Sequence, residues 1–256
     1  MKLGCCADIQ KAEIVQRAGF DFIECTVTSL SPEKDDHYFR EILLKPFEAS
    51  PIPVEACNVF LPGDLTLVGD SVNWERIHSY VERALERVKR IGAEIVVFGS
   101  GKARSIPAGF DREKGETQIL NFLNKVADKA EETGITVVIE PLNKKESNVI
   151  NTIPEAVDFA QKVSRSSIQV LADFYHMDEE DENLDHIVQW GDYLRHIHVA
   201  DTGRMAPGTG NYPYEVFVDK IKQANYQGRI SIECKWNDFD SEVKEAKRSL
   251  EQIFSN

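Results

Sequence analysis

Glu140, Asp173, His198 and Glu233 carry donor atoms with which this chain could do chemistry, and each closes a short apolar run. The runs are Thr136-Val137-Val138-Ile139-Glu140, Val170-Leu171-Ala172-Asp173, His196-Ile197-His198 and Arg229-Ile230-Ser231-Ile232-Glu233. Three carboxylates and an imidazole brought to one place repel each other and lose solvation, so their convergence calls for a positive charge. A divalent cation is the simplest source of it. The mixed oxygen and nitrogen set suits manganese, magnesium, cobalt or zinc and does not choose between them.

Regular elements must position these groups. β-branched apolar residues dominate the runs, and the spacers between them are long enough for helices, which predicts brief, buried parallel strands. Side chains alternate along a strand, so Glu140 shares a face with Val138 and Glu233 with Ser231. Ile139 and Ile232 then point the other way, to covering helices. The same parity turns both His196 and His198 inward, and His196 reads as a satisfied core histidine one layer below His198.

The remaining chain supplies the same alternation. Residues 2–5 read as a strand; Asp8 then caps a helix with Ile9, Ala12, Val15 and Ala18 on one face, and Gly19 stops it. Residues 22–24 form a second strand, followed by an irregular, charged helical crossover as far as Ala49. A third strand covers 53–57, and Trp74, Ile77, Val81, Ala84, Val88 and Ile91 mark a long helix. A fourth covers 94–98, and Ile119, Leu123, Val126 and Ala130 mark the next helix. Thr152-Ile153-Pro154-Glu155 is a capping box with proline near the helix start. Later helices fall at 184–190 and 214–224, and the last carries Val243, Ala246, Leu250 and Ile253.

Eight such units of roughly thirty residues predict an α/β fold, a closed (β/α)8 TIM barrel made by residues 1–256 as a single domain. An open doubly wound sheet would want a glycine-rich turn after the first strand, where the chain has Cys5-Cys6-Ala7. Catalytic groups of such barrels sit at the C-terminal ends of the strands. The four donors therefore fall on strands five to eight, on adjacent staves.

The formal charge of −13 argues against a nucleic-acid partner, since phosphates repel an acidic surface. The five cysteines (Cys5, Cys6, Cys25, Cys57 and Cys234) are odd in number and form no C-x-x-C pair, as expected of reduced thiols in a cytoplasmic protein. No run reaches membrane-spanning length, and no signal-type apolar region follows Met1-Lys2-Leu3. Gly99-Ser100-Gly101-Lys102 misses the phosphate-loop spacing and reads as the fourth βα loop, with Lys102 and Arg104 the cations that could reach an anionic substrate. The acidic stretch Asp178 to Glu182 reads as a solvated loop and helix start, and His37, His78 and His186 as surface residues.

Taken together, these residues resemble the xylose-isomerase-like TIM barrel superfamily of sugar phosphate isomerases and epimerases, above all its D-tagatose/D-psicose 3-epimerase branch. The likeness covers essentially the whole chain and is specific from Glu140 onward. It implies that Glu140, Asp173, His198 and Glu233 bind one divalent metal ion. It also implies substrate-binding roles for His176, three residues after the metal Asp, for Arg204, six after the metal His, and for Glu146, six after the first metal Glu. Residues gripping the far end of the sugar would fall around Cys6, Asn58, Phe60 and Trp236.

The chemistry expected is ketose 3-epimerisation through a metal-stabilised enediolate. One of Glu140 and Glu233 would take the proton from carbon 3 and the other return one to the opposite face. The partner is a small sugar, a ketose or ketose phosphate; no membrane partner is expected, and a homo-oligomer is left open. Rival readings are an aldose–ketose isomerase of the hydroxypyruvate isomerase type and an inosose-type dehydratase on the same metal site. A three-zinc apurinic endonuclease of the superfamily would need extra ligands on the early strands, where only Cys6, Cys25 and Thr26 stand. A non-catalytic sugar-binding relative would not need both glutamates.

Overall fold

Eight parallel strands close on themselves in chain order. They are β1 (Lys2–Cys6), β2 (Phe22–Thr26), β3 (Val54–Asn58), β4 (Ile95–Phe98), β5 (Thr136–Ile139), β6 (Ile168–Asp173), β7 (Leu194–Val199) and β8 (Arg229–Ile232). The ring is completed where β1 pairs with β8, Gly4 opposite Ser231 and Cys5 opposite Ile232. The computed structural model describes residues 1–255. It shows the (β/α)8 TIM barrel, and among the described residues no helix is long and apolar enough to cross a membrane.

Local signals set the element ends. The Asp8 carboxylate accepts from the Gln10 amide at the head of a 3₁₀ turn, the helix Ala12–Ala18 follows, and Gly19 ends it at φ 94°. The long crossovers Trp74–Arg90 and Arg112–Thr133 are capped by Asn73 and Asp111. Between β2 and β3 the chain runs through short helical pieces, including a π-helical turn at Phe39–Leu43. Thr152 caps the helix Ile153–Val163, but the Glu155 carboxylate reaches back to the Asn151 amide, one residue beyond a standard capping box. Phe174–Glu179, a helix not expected from the sequence, starts directly at the end of β6.

Strand parity divides the core in two. Ile139, Ile197 and Ile232 join the large shell between barrel and helices, while Phe22, Ala56, Ile95, Val97, Val138 and Leu171 form a small apolar plug inside the barrel. Phe22 fills that plug so fully that a Cβ on Gly4 would stand 2.3 Å from its ring. Above the plug the interior turns polar: Glu24, His196, His198 and Ser231 are all fully buried. Below it, Arg229 donates to both Glu55 and Glu94, and Lys2 also pairs with Glu55, closing the N-terminal mouth with ion pairs.

Two local readings of the sequence need correction. Glu182 is buried within the acidic stretch, because its carboxylate accepts from the Ile153 amide and pairs with His186 at 2.9 Å. His186 is therefore partnered. Arg104 does not face a substrate: it is fully buried and donates to the carbonyls of Phe98 (3.0 Å), Glu140 (2.7 Å) and Ile150 (3.2 Å). Those carbonyls lie where the chain leaves β4 and β5 for its loops, so the guanidinium pins the backbone under Glu140. Arg104→Met should cost about 3 kcal/mol, since it strands buried carbonyls that cost about 1–3 kcal/mol each when unpaired. Urea denaturation would measure it.

Candidate active site

The four strand-end donors meet at the C-terminal mouth of the barrel. One ligand atom from each of Glu140, Asp173, His198 and Glu233 lies within 4.8 Å of the other three. Glu140 and Glu233 stand one residue beyond β5 and β8, Asp173 ends β6, and His198 is the penultimate residue of β7. The register across β6, β7 and β8 sets Asp173 opposite His198 and His198 opposite Ser231. Their side chains consequently lie side by side.

His198 faces two ways. Its Nδ1 lies 3.3 Å from Glu140 Oε1 and 3.6 Å from a Glu233 oxygen, while its Nε2 lies 2.9 Å from Glu24 Oε1. Asp173 divides its oxygens. Oδ1 caps the Phe174–Glu179 helix through the Tyr175 amide at 2.8 Å, whereas Oδ2 is buried without a hydrogen-bond partner. The capping reading of Asp173 thus holds for Oδ1, and Oδ2 is left unspent on the side of the other donors.

Asp173 Oδ2 lies 3.7 Å from His176 Nε2, which is also buried and unpartnered. His176 Nδ1 accepts from the Asn143 backbone amide at 3.1 Å, which places the neutral ring's proton on Nε2. Burial lowers the pKa of this imidazole, so a neutral N–H donor points into the cup.

Arg204 spans the cup's rim. Its guanidinium pairs with Glu233 and, at 3.0 Å, with Glu146, and lies 5.0 Å from the centre of the Tyr175 ring. The residue is held in the left-handed region at φ 65°, next to Gly203 at φ 71°. The Asp201 carboxylate anchors this loop by accepting from the amides of Thr202, Gly208 and Tyr212. Such strain in a side-chain-bearing residue persists only where its surroundings over-determine it. The three residues expected to touch substrate, His176, Arg204 and Glu146, thus border the four donors.

Electrostatics shows a deficit of positive charge. Burial, reinforced by Glu233, pushes the Asp173 carboxyl up to about 6. Burial likewise raises Glu140, with Glu233 adding to it. Burial also acts to raise Glu233, but His198 and then Arg204 outweigh it and hold this carboxyl below the usual range. A buried, unpartnered carboxylate oxygen beside two more carboxylates and an imidazole nitrogen is a donor set that fits a divalent cation.

Other contacts are tighter than sequence alone could indicate. Asn58 donates to Glu233 Oε1 at 2.9 Å from the end of β3. Phe60, expected near the sugar, is instead fully buried against Phe98 and Phe122 and belongs to the shell core. Trp236 is partly buried and packs edge-on against Phe239. Glu24, beneath His198, was not singled out from the sequence at all. The available signal was parity, since Phe22, Glu24 and Thr26 alternate to the inside of β2, where a carboxylate needs partners.

Gly99 explains how Glu140 reaches its place. A Cβ on Gly99 would lie 2.1 Å from Glu140 Oε2, so only hydrogen at that position leaves room for the carboxylate. Gly99→Ala should leave the fold intact, because the clash is with a side-chain end, yet lower turnover by up to about 10²-fold through displacement of that carboxylate. Steady-state kinetics alongside a melting curve would separate the two effects.

Comparison with known proteins agrees with this architecture. Residues 12–255 match the family model described as the xylose isomerase-like TIM barrel. Escherichia coli 3-dehydro-D-guloside 4-epimerase is 29% identical over 175 residues, 65% of this chain and 67% of the relative. D-psicose 3-epimerase of Agrobacterium fabrum is 36% identical over 160 residues, 60% of this chain and 55% of the relative. The chain thus aligns with between about half and two thirds of the length of such curated relatives. A crystal structure of D-psicose 3-epimerase in the presence of D-fructose superposes over 100% of both chains with a TM-score of 0.85 at 22% identity, a likeness of fold.

Proposed function

The chain belongs to the xylose isomerase-like TIM barrel family, and from that premise we propose that it is a metal-dependent sugar epimerase, a ketose 3-epimerase. The observation that carries the reading is the meeting of four donors within 4.8 Å, bordered by one neutral imidazole donor and one guanidinium. Glu140, Asp173, His198 and Glu233 would hold one divalent cation, manganese being our first choice. Such a cation supplies Lewis acidity, which favours ionisation of a C–H bond beside a carbonyl by several kcal/mol.

The chain's own groups supply the rest. Glu140 and Glu233 approach the cup from β5 and β8, so one can remove the proton from carbon 3 while the other delivers a proton to the opposite face. The His176 Nε2–H would donate to the carbonyl-side oxygens, and Arg204 would place positive charge beside the developing enediolate. Glu146, paired with Arg204, would orient that guanidinium and accept from a substrate hydroxyl. Relatives named for inversion at carbon 3 or carbon 4 of a keto sugar support this class, because in both cases the inverted centre is next to a carbonyl.

A panel of free and phosphorylated ketoses incubated with the manganese-loaded protein in deuterated water, followed by NMR, tests the proposal. The expected product is a ketose inverted at carbon 3 that carries one solvent deuterium there. An aldose product would make the protein an aldose–ketose isomerase, loss of water a dehydratase, and inversion only at carbon 4 of a 3-keto sugar a 4-epimerase. Each of those outcomes would replace the 3-epimerase assignment.

A further inference from the structure

Glu24 lies 0% exposed in the middle of the barrel, in register with Cys6 on one side and Ala56 on the other. Its oxygens are spent one apiece: Oε2 meets His196 Nε2 at 2.8 Å and Oε1 meets His198 Nε2 at 2.9 Å. The two imidazole rings stand nearly perpendicular, with centres 4.9 Å apart, so the carboxylate is gripped from two directions. An ionised carboxylate is an acceptor only, and each imidazole must therefore present Nε2 as a donor. On His198 this commits Nε2 to Glu24 and leaves Nδ1, the nitrogen that faces Glu140 and Glu233, on the side of the strand-end donors.

We infer that Glu24 is a positioning residue: braced by His196, it holds a proton on Nε2 of His198 and turns Nδ1 towards the strand-end donors, where a cation would take it as a ligand. The inference rests on the reading that those donors hold a cation, and it adds how one of them is oriented before the cation arrives. A ligating histidine whose other nitrogen donates to a carboxylate is fixed in tautomer and orientation, and its ligand nitrogen is more basic. Here the brace is built from strands β2 and β7, inside the barrel, where neither ring can swing into solvent. Cys6, Glu24 and His198 also lie close enough to share an ion of their own. That arrangement would draw on Glu24, each of whose oxygens already accepts from an imidazole Nε2.

Glutamine at position 24 would swap one acceptor oxygen for a donor NH₂ and oppose an imidazole N–H, forcing one ring into the other tautomer. The intact chain labelled with ¹⁵N at histidine and loaded with zinc gives the readout. In the unmodified protein, long-range ¹⁵N–¹H spectra should show His198 with a retained Nε2 proton and zinc on Nδ1, at one zinc per chain. Glu24→Gln should bind zinc about 10–100-fold more weakly in chelator competition, with an unchanged circular dichroism spectrum. Zinc on Nε2 of His198 in the unmodified protein, or a second zinc among Cys6, Glu24 and His198, overturns the inference while leaving a cation site in place; neither result needs the variant to fold. A folded Glu24→Gln with unchanged affinity also overturns it. Failure of the unmodified protein to take up zinc or manganese overturns both this inference and the reading beneath it.

Discussion

Glu233→Gln should lower epimerisation by about 10²–10⁴-fold, the range that a positioned general acid–base group contributes. The substitution keeps the side chain's size but can accept from only one of Asn58 and Arg204, which now donate to separate oxygens of Glu233, so a melting curve of the variant accompanies the assay. What it removes is the ability to accept or return a proton. Because an amide is also a poorer ligand than a carboxylate, the assay is run at saturating manganese, with metal content measured on the same sample. Exchange of the substrate's carbon-bound proton with deuterated solvent is the sharper readout. If Glu140 acts on the opposite face, Glu140→Gln should suppress that exchange from one epimer and Glu233→Gln from the other. Near-normal epimerisation by metal-loaded Glu233→Gln would rule out the two-carboxylate scheme.

Stripping divalent cations with a chelator should abolish turnover to a comparable degree and restore it on adding manganese back. A Lewis-acid contribution of several kcal/mol corresponds to about 10²–10⁴-fold at 1.36 kcal/mol per factor of ten. The same treatment should lower stability. An ion that binds the folded chain alone contributes about 2.7 kcal/mol when present at 100 times its Kd. Removal of the ion also leaves the carboxyls of Asp173 and Glu140, both raised by burial, without a counter-charge. Thermal melts with and without manganese measure this term. A chelated protein with unchanged activity and unchanged melting would refute the cation site.

Much of the barrel was legible residue by residue. Alternation of apolar β-branched runs with 3.6-residue apolar stripes identified strands and helices, and strand parity placed Ile139 and Ile232 outside and His196 and His198 inside. Phe174–Glu179 was missed because a six-residue helix has too few turns to show a period, and its cap is a residue with another evident use. Arg104 was misassigned for a related reason. From sequence, a cation in a βα loop looks available to a substrate; only the folded loop shows three carbonyls converging on it. Phe60 was misplaced because a residue just past a strand end can turn either into the cup or into the shell.

What the linear chain determined by itself is the list of donors and the staves that carry them, since periodicity and strand ends are local properties of sequence. Only the tertiary structure decided which atoms of those donors face one another. Closing the barrel brings Glu24 on β2 beneath His198 on β7, across 174 residues of chain. It lets Gly99 make room for Glu140, and it spends one oxygen of Asp173 on a helix amide while leaving the other unpartnered. Those pairings depend on ring closure and on register between strands far apart in sequence, and no local pattern of residue types encodes a distance of that kind.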